Sequence, residues 1–144
     1  MPQLNNTSPY IYYIGKIHKN YTEYVNKTLK EYNVNFGDIP YLYYLLEHDN
    51  ITQENLAKTL KYNQATVTRA IRRLEKKGFI QRKQDLHDKR KKIIHLTNNG
   101  LKITKEAIKK QQQVEQEIIE QFTEDETKIT LNTLKKFLEK IEEK

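Results

Sequence analysis

Between Pro9 and Tyr32 the apolar residues Ile14, Ile17, Tyr21, Val25 and Leu29 recur every three or four positions, the spacing that lines one face of a helix. Tyr10, Tyr13 and Tyr24 widen that stripe. The stretch "NVNFGDIP" then brings breakers and caps, and Ile39, Leu42, Tyr43 and Leu46 predict a second helix near residues 37 to 48, with Pro40 close to its start. In "ITQENLAKTLKYNQATVTRAIRRLEKKGFI" the pattern changes to two short helices. Thr52 is placed to cap the first, whose apolar set is Leu56, Ala57 and Leu60. Tyr62 and Asn63 interrupt it, and Asn63 caps a second helix that turns Val67, Ala70, Ile71 and Leu74 inward and stops before Gly78, a suitable left-handed residue.

Phe79 to Gln84 and Lys92 to Leu96 are short, alternating or β-branched, and separated by a polar loop, which predicts a hairpin. The helical stripe returns with Ile103, Ala107, Val114, Ile118 and Phe122, interrupted at Gln111. A final helix opens on a Thr123 to Glu126 capping box and carries Leu134, Phe137, Leu138 and Ile141 on one face. The pattern predicts a mainly α chain with one small β-hairpin, and its 144 residues suffice for a single domain with a modest core.

A mean hydropathy of −0.92 requires the apolar side chains to be concentrated on those narrow stripes. Charge changes the picture more. Residues 52 to 96 hold 13 Lys and Arg against 4 Asp and Glu, leaving 13 against 15 elsewhere. The net +7 is therefore a property of the middle of the chain, an electrostatic footprint for a polyanion, with a solvated Lys-rich surface as the plainer reading. There is no run of roughly 18 apolar residues, and "MPQLNNTSPY" lacks a signal-peptide layout, so the expectation is a soluble, cytoplasmic chain without membrane contact.

Chemistry of other kinds finds little support. His18, His48, His87 and His95 form no metal-type pairing, the 4 glycines form no phosphate loop, Ser8 is the single serine, and Glu75 and Asp85 have no visible carboxylate partner. With Cys 0, disulfides and thiolate metal sites are excluded. The reading is of no enzyme, no catalytic residue, no metal and no cofactor.

Helix, turn, helix and basic hairpin is the order of a winged helix, whose second helix enters the DNA major groove. The outward residues of that helix suit the role: Gln64, Thr66, Thr68 and Arg69 near its N-terminal end, then Arg72, Arg73, Lys76 and Lys77 as a cationic strip. Gln pairs with adenine, Arg with guanine, and Thr reaches bases or a thymine methyl. Each residue taken singly also fits a solvated helix face; the cluster carries the argument.

The chain resembles the MarR family of transcriptional regulators along almost its whole length. The most specific segments are "TVTRAIRRLEKKGFIQR" and Asp88-Lys89-Arg90 followed by "IIHLTNNG", similar to the family's D-x-R wing and "LT-x-x-G" exit. The resemblance implies one MarR-type domain over residues 1–144: a winged-helix DNA-binding lobe at about 37–97, and dimerisation helices at about 9–32 and 98–144 that build a homodimer, triangular in outline. It implies a ligand-responsive repressor on a pseudo-palindromic double-stranded operator, released by a small phenolic or anionic effector. The wing, with Asp88, Lys89, Arg90, Lys91 and Lys92, would serve the phosphate backbone and minor groove. By the same resemblance Arg90 enters that groove and Asp88 holds its guanidinium. The implied effector crevice is lined by Tyr13, Tyr41 and Tyr44 with Lys16 as carboxylate partner, unless the 10 tyrosines only pack the core. Asp38 and Pro40 depart from the family's usual residues, the wing loop is richer in Lys, and the lack of cysteine rules out the thiol sensing of one branch. A winged-helix module that holds a protein partner is the alternative from another class.

Overall fold

The computed structural model describes residues 8–144; the segment read above for a signal layout, residues 1–7, lies outside the described residues. Helix α1 spans Pro9–Thr28, α2 Ile39–Glu47, α3 Gln53–Leu60, α4 Gln64–Lys76, α5 Asn98–Ile119 and α6 Glu124–Glu142. Strands β1 (Ile51–Thr52), β2 (Ile80–Gln84) and β3 (Lys92–Leu96) form an antiparallel sheet in the order β1-β3-β2. The fold is a mainly helical winged helix, as the pattern predicts. The chain divides into two compact units, the first running to Lys110 and the second covering Gln111–Lys144.

Local chemistry accounts for most boundaries. The Thr52 hydroxyl accepts from the Asn55 amide at 3.1 Å and the Asn63 side chain from the Thr66 amide at 2.8 Å, so α3 and α4 begin on the predicted caps. Lys61 closes α3 in the left-handed region with φ 56°, and Gly78, at φ 79°, turns the chain from α4 into β2. Pro40 lies in the first turn of α2, where its missing N–H has no helical partner to lose. Immediately before it, Asn35 and Asp38 bond each other's amides reciprocally, both at 3.1 Å, around a 3-10 turn at Phe36–Asp38.

Two features differ from the sequence expectation. The first helix does not run to Tyr32: beyond Leu29 the backbone tightens into a 3-10 turn, Lys30–Tyr32, that ends on left-handed Asn33. Strand β1 was not anticipated. Its two residues pair Ile51 with Ile94 and Thr52 with Ile93, a tertiary pairing too short to leave an alternation in the sequence.

The first unit has a continuous core. Leu29, Leu42, Leu45, Leu56, Val67, Ile71, Leu74, Ile80 and Ile94 are each at most 1% exposed. Each such side chain contributes about 1.5 to 3 kcal/mol on leaving water. The "LTNNG" exit closes the wing onto this core: Thr97 Oγ1 donates to the Gly78 carbonyl at 2.6 Å and accepts from the Gly100 amide at 2.9 Å. A Cβ on Gly100 would lie 1.9 Å from the Phe79 carbonyl oxygen, so only glycine fits.

In the second unit the Thr123 to Glu126 capping box is present, with Thr123 Oγ1 accepting from the Glu126 amide at 3.1 Å. Val114 is buried, but no residue of α6 is. Among the described residues no helix is long and apolar enough to cross a membrane.

Candidate nucleic-acid interface

The cap at Asn63 and the buried stripe Val67, Ala70, Ile71 and Leu74 fix which way α4 faces. Gln64, Arg69, Arg72 and Lys76 are left exposed, and Thr66 and Thr68 half-buried. Arg69 Nη2 lies 3.4 Å from Thr66 Oγ1 and so stays close to the N-terminal turn. Gln53, at the start of α3, donates from Nε2 to Thr68 Oγ1 at 2.8 Å. That bond fills one lone pair of the Thr68 hydroxyl and leaves its O–H free to donate. Sequence reading singled out Thr68 and missed Gln53, whose only local sign is its place beside the cap Thr52.

The cationic strip is shorter than expected. Asp38 engages both ends of the strip's inner edge: Arg73, its side chain still 39% exposed, sets Nε and Nη2 at 2.8 Å from Asp38 Oδ1, and the more covered Lys77 sets Nζ at 2.7 Å from Asp38 Oδ2. Asp38 itself is 0% exposed. On the outward strip the structure leaves Arg69, Arg72 and Lys76.

The wing strands pair from Ile80 with Leu96 to Gln84 with Lys92. Arg82 ties β2 to α4 through a two-pronged pair with Glu75, at 2.6 and 3.3 Å. At the tip, the side chains of Asp85 and Asp88 accept from the amides of His87 and Arg90 at 2.9 and 3.0 Å, and Gln84 Nε2 donates to the Lys89 carbonyl at 2.8 Å. The Asp88 bond corrects the expected one. Among the described residues Asp88 makes no pair with the Arg90 guanidinium; it shapes an Asx turn, and the exposed Arg90 head stays available. Lys89, Lys91 and Lys92 are also exposed. Arg90, Lys91 and Lys92 share a cleft of about 310 Å³ with Thr52, Gln53, Glu54 and Gln64, which brings the wing and the start of α4 to one site. Glu54 is the acidic member of that cleft and was not among the predicted residues.

The aromatic set does not converge as expected. Tyr41 is 3% exposed, in the lobe core and 5.9 Å from the Tyr62 ring, so it is a packing residue and not a crevice wall. Burial pushes the Tyr41 phenol up from its ordinary pKa, as does Tyr62, while the guanidinium groups of Arg73 and Arg69 pull it back. Tyr44 is half-buried and stacks on His48 at 4.3 Å, and Tyr13 and Lys16 are exposed on α1. Among the described residues no group of three or more His, Asp or Glu is placed to hold a metal ion.

The profile of the MarR family matches residues 37–92. The chain is 30% identical over 114 residues to the HTH-type transcriptional regulator YwoH of Bacillus subtilis, an alignment covering 79% of this chain and 82% of that one. The chain belongs to the MarR family of transcriptional regulators. A second B. subtilis HTH-type transcriptional regulator, YybA, is 34% identical over 62% of this chain, though the match spans only 60% of YybA's own length. Among solved MarR-family structures, the Staphylococcus aureus MepR–DNA complex superposes with a TM-score of 0.85 at 28% identity, covering 94% of this chain and 99% of MepR. The transcriptional regulator SlyA gives 0.82 at 28% identity, covering 94% and 96%. The family match begins at Gly37 and ends at Lys92, and so takes in α2, α3, α4, β2 and the wing loop.

Proposed function

We propose that this MarR-family chain is a homodimeric, sequence-specific double-stranded DNA-binding repressor that responds to a ligand. One observation carries the DNA reading: α4 buries its whole apolar stripe while Gln64, Arg69, Arg72 and Lys76 stand exposed, and the exposed wing cations share a cleft with Gln64. The likeness to MepR in its DNA complex supports it. Gln64, Thr66, Thr68 and Arg69 read bases in the major groove, Arg72, Lys76, Lys89, Lys91 and Lys92 meet phosphates, and Arg90 enters the minor groove from a turn shaped by Asp88.

The domain reading is one MarR-type domain with its DNA-binding lobe at about 37–97, and dimerisation through the helices at about 9–32 and 98–144. Exposed apolar residues on α1 (Tyr10, Ile11, Ile14, Ile17) and on α6 (Ile129, Leu134, Leu138, Ile141) support a second copy as their cover. A small phenolic or anionic effector, reached by Tyr13, Lys16 and Tyr44, completes the reading. Titration with a salicylate-type anion weakens operator binding if that part holds.

The deciding experiment is selection of bound duplexes from a pooled oligonucleotide library. The expected outcome is a two-fold symmetric site with half-site centres about 10 base pairs apart. Enrichment of no sequence, with weak binding to every duplex, would leave a winged-helix module for a protein partner.

A further inference from the structure

Among the described residues Asp38 is one of two buried polar side chains, and it lies beneath α4 instead of on its exposed face. Its buried carboxylate accepts from the Asn35 amide at 3.1 Å, from Arg73 Nε and Nη2 at 2.8 Å, and from Lys77 Nζ at 2.7 Å. The Lys77 ammonium also donates to the Asn33 carbonyl at 2.9 Å. The segment that carries Asp38 is tied in turn to α1, where Asn26 Oδ1 accepts from the Phe36 amide at 2.7 Å. Taking such charges out of water is costly, and their attraction offsets this only when the geometry is good and the remaining lone pairs are filled. Here both carboxylate oxygens are filled.

Arg73 and Lys77 are four residues apart, one turn of helix, at the C-terminal end of α4. Two grips from one buried carboxylate therefore resist both sliding of that end and rotation about its axis. They also take two cations off the face that the sequence pattern assigns to a polyanion. We propose that Asp38 is a positioning residue that sets the rotation of the recognition helix and withdraws Arg73 and Lys77 from DNA. This rests on the DNA reading of α4.

The test compares the intact wild-type chain with Lys76→Met, Lys77→Met and Asp38→Asn, using random-sequence duplex DNA over a range of salt, and amide hydrogen exchange without DNA. Each lost phosphate contact flattens the slope of log affinity against log salt by about one unit. Lys76→Met flattens it by that amount, while Lys77→Met leaves it unchanged. Asp38→Asn steepens it, by up to about two units, because the freed cations reach phosphates. A merely structural role would not steepen a slope. In the free protein Asp38→Asn speeds exchange of the amides from Arg73 to Phe79 about tenfold or more. If Lys77→Met flattens the slope as much as Lys76→Met, the ammonium is a phosphate contact and the proposal is overturned. Unchanged exchange in Asp38→Asn overturns it too. Should Asp38→Asn fail to fold, the two lysine slopes still decide. A wild-type chain that binds no duplex would remove the DNA reading, and the exchange comparison would then decide the positioning claim alone.

Discussion

Helices α4 and α6 carry the same kind of apolar stripe and meet opposite fates. In α4, Val67, Ala70, Ile71 and Leu74 are at most 2% exposed. In α6, Ile129, Leu134, Leu138 and Ile141 are 66%, 51%, 57% and 57% exposed, and Phe137 is 37%. A period of 3.6 predicts a helix in both cases, because it requires only that one face be apolar. What covers that face is a separate matter. For α4 the cover is the lobe's own core; for α6 the proposed cover is a second copy of the chain, since a single copy leaves the stripe in water.

The largest effect expected from that contrast is on association. Phe137→Glu combined with Leu134→Glu places two charges where two apolar side chains, each worth about 1.5 to 3 kcal/mol when buried, would meet a partner. The variant is expected to sediment as a monomer with its lobe still folded; an unchanged dimer would show that α6 is not the covered face. Next in size is Leu74→Ala in α4. It is expected to cost the fold about 2 to 5 kcal/mol in urea unfolding, independent of protein concentration, whereas Leu138→Ala in α6 should lower stability only in proportion to dimer lost. A concentration-independent loss for Leu138→Ala would erase the distinction between the two helices.

Gly100→Ala tests how closely the lobe is packed around α4. Its Cβ meets the Phe79 carbonyl oxygen at 1.9 Å, so the exit from the wing must shift, at about 1 to 3 kcal/mol on thermal unfolding. No loss would mean that the Thr97 to Gly78 clasp yields freely. The smallest effects are at the caps. Asn63→Ala and Thr123→Ala each remove a side-chain acceptor from a first-turn amide, about 1 kcal/mol each. The Asn63 change is expected in lobe stability, and the Thr123 change chiefly in the dimerisation constant.

The same contrast separates what was legible in the sequence from what was not. Thr52, Asn63 and Thr123 were readable because an N-cap side chain acts on the amide three residues on, Gly78 because glycine takes the left-handed turn after a helix, and the wing because alternation and a polar loop are local. Strand β1 was not, since two residues acquire meaning only from their partners in β3. Nor was the aim of Arg73 and Lys77. The sequence shows two cations on the recognition helix, and only the fold brings Asp38, some 35 residues away from Arg73, beneath them. Tyr41 failed for a related reason: the crowding of tyrosines on the first two helices suggested a crevice wall, and the fold instead buries it beside Tyr62, the core alternative. The Asp88 expectation failed at the level of a single bond, because the carboxylate is satisfied by a backbone amide two residues on. Charge type is written locally; charge direction is not.

The central claim is that two copies of this chain together hold one DNA duplex through α4 and the wing. Sedimentation equilibrium of the protein with a duplex enriched by selection, alongside an Arg69→Ala and Arg90→Ala double variant, tests it most directly. The account predicts a complex with the mass of one duplex and two chains, and a double variant that dimerises normally but loses preference for the enriched duplex. A complex with one chain per duplex, or a double variant that retains full preference, would contradict it.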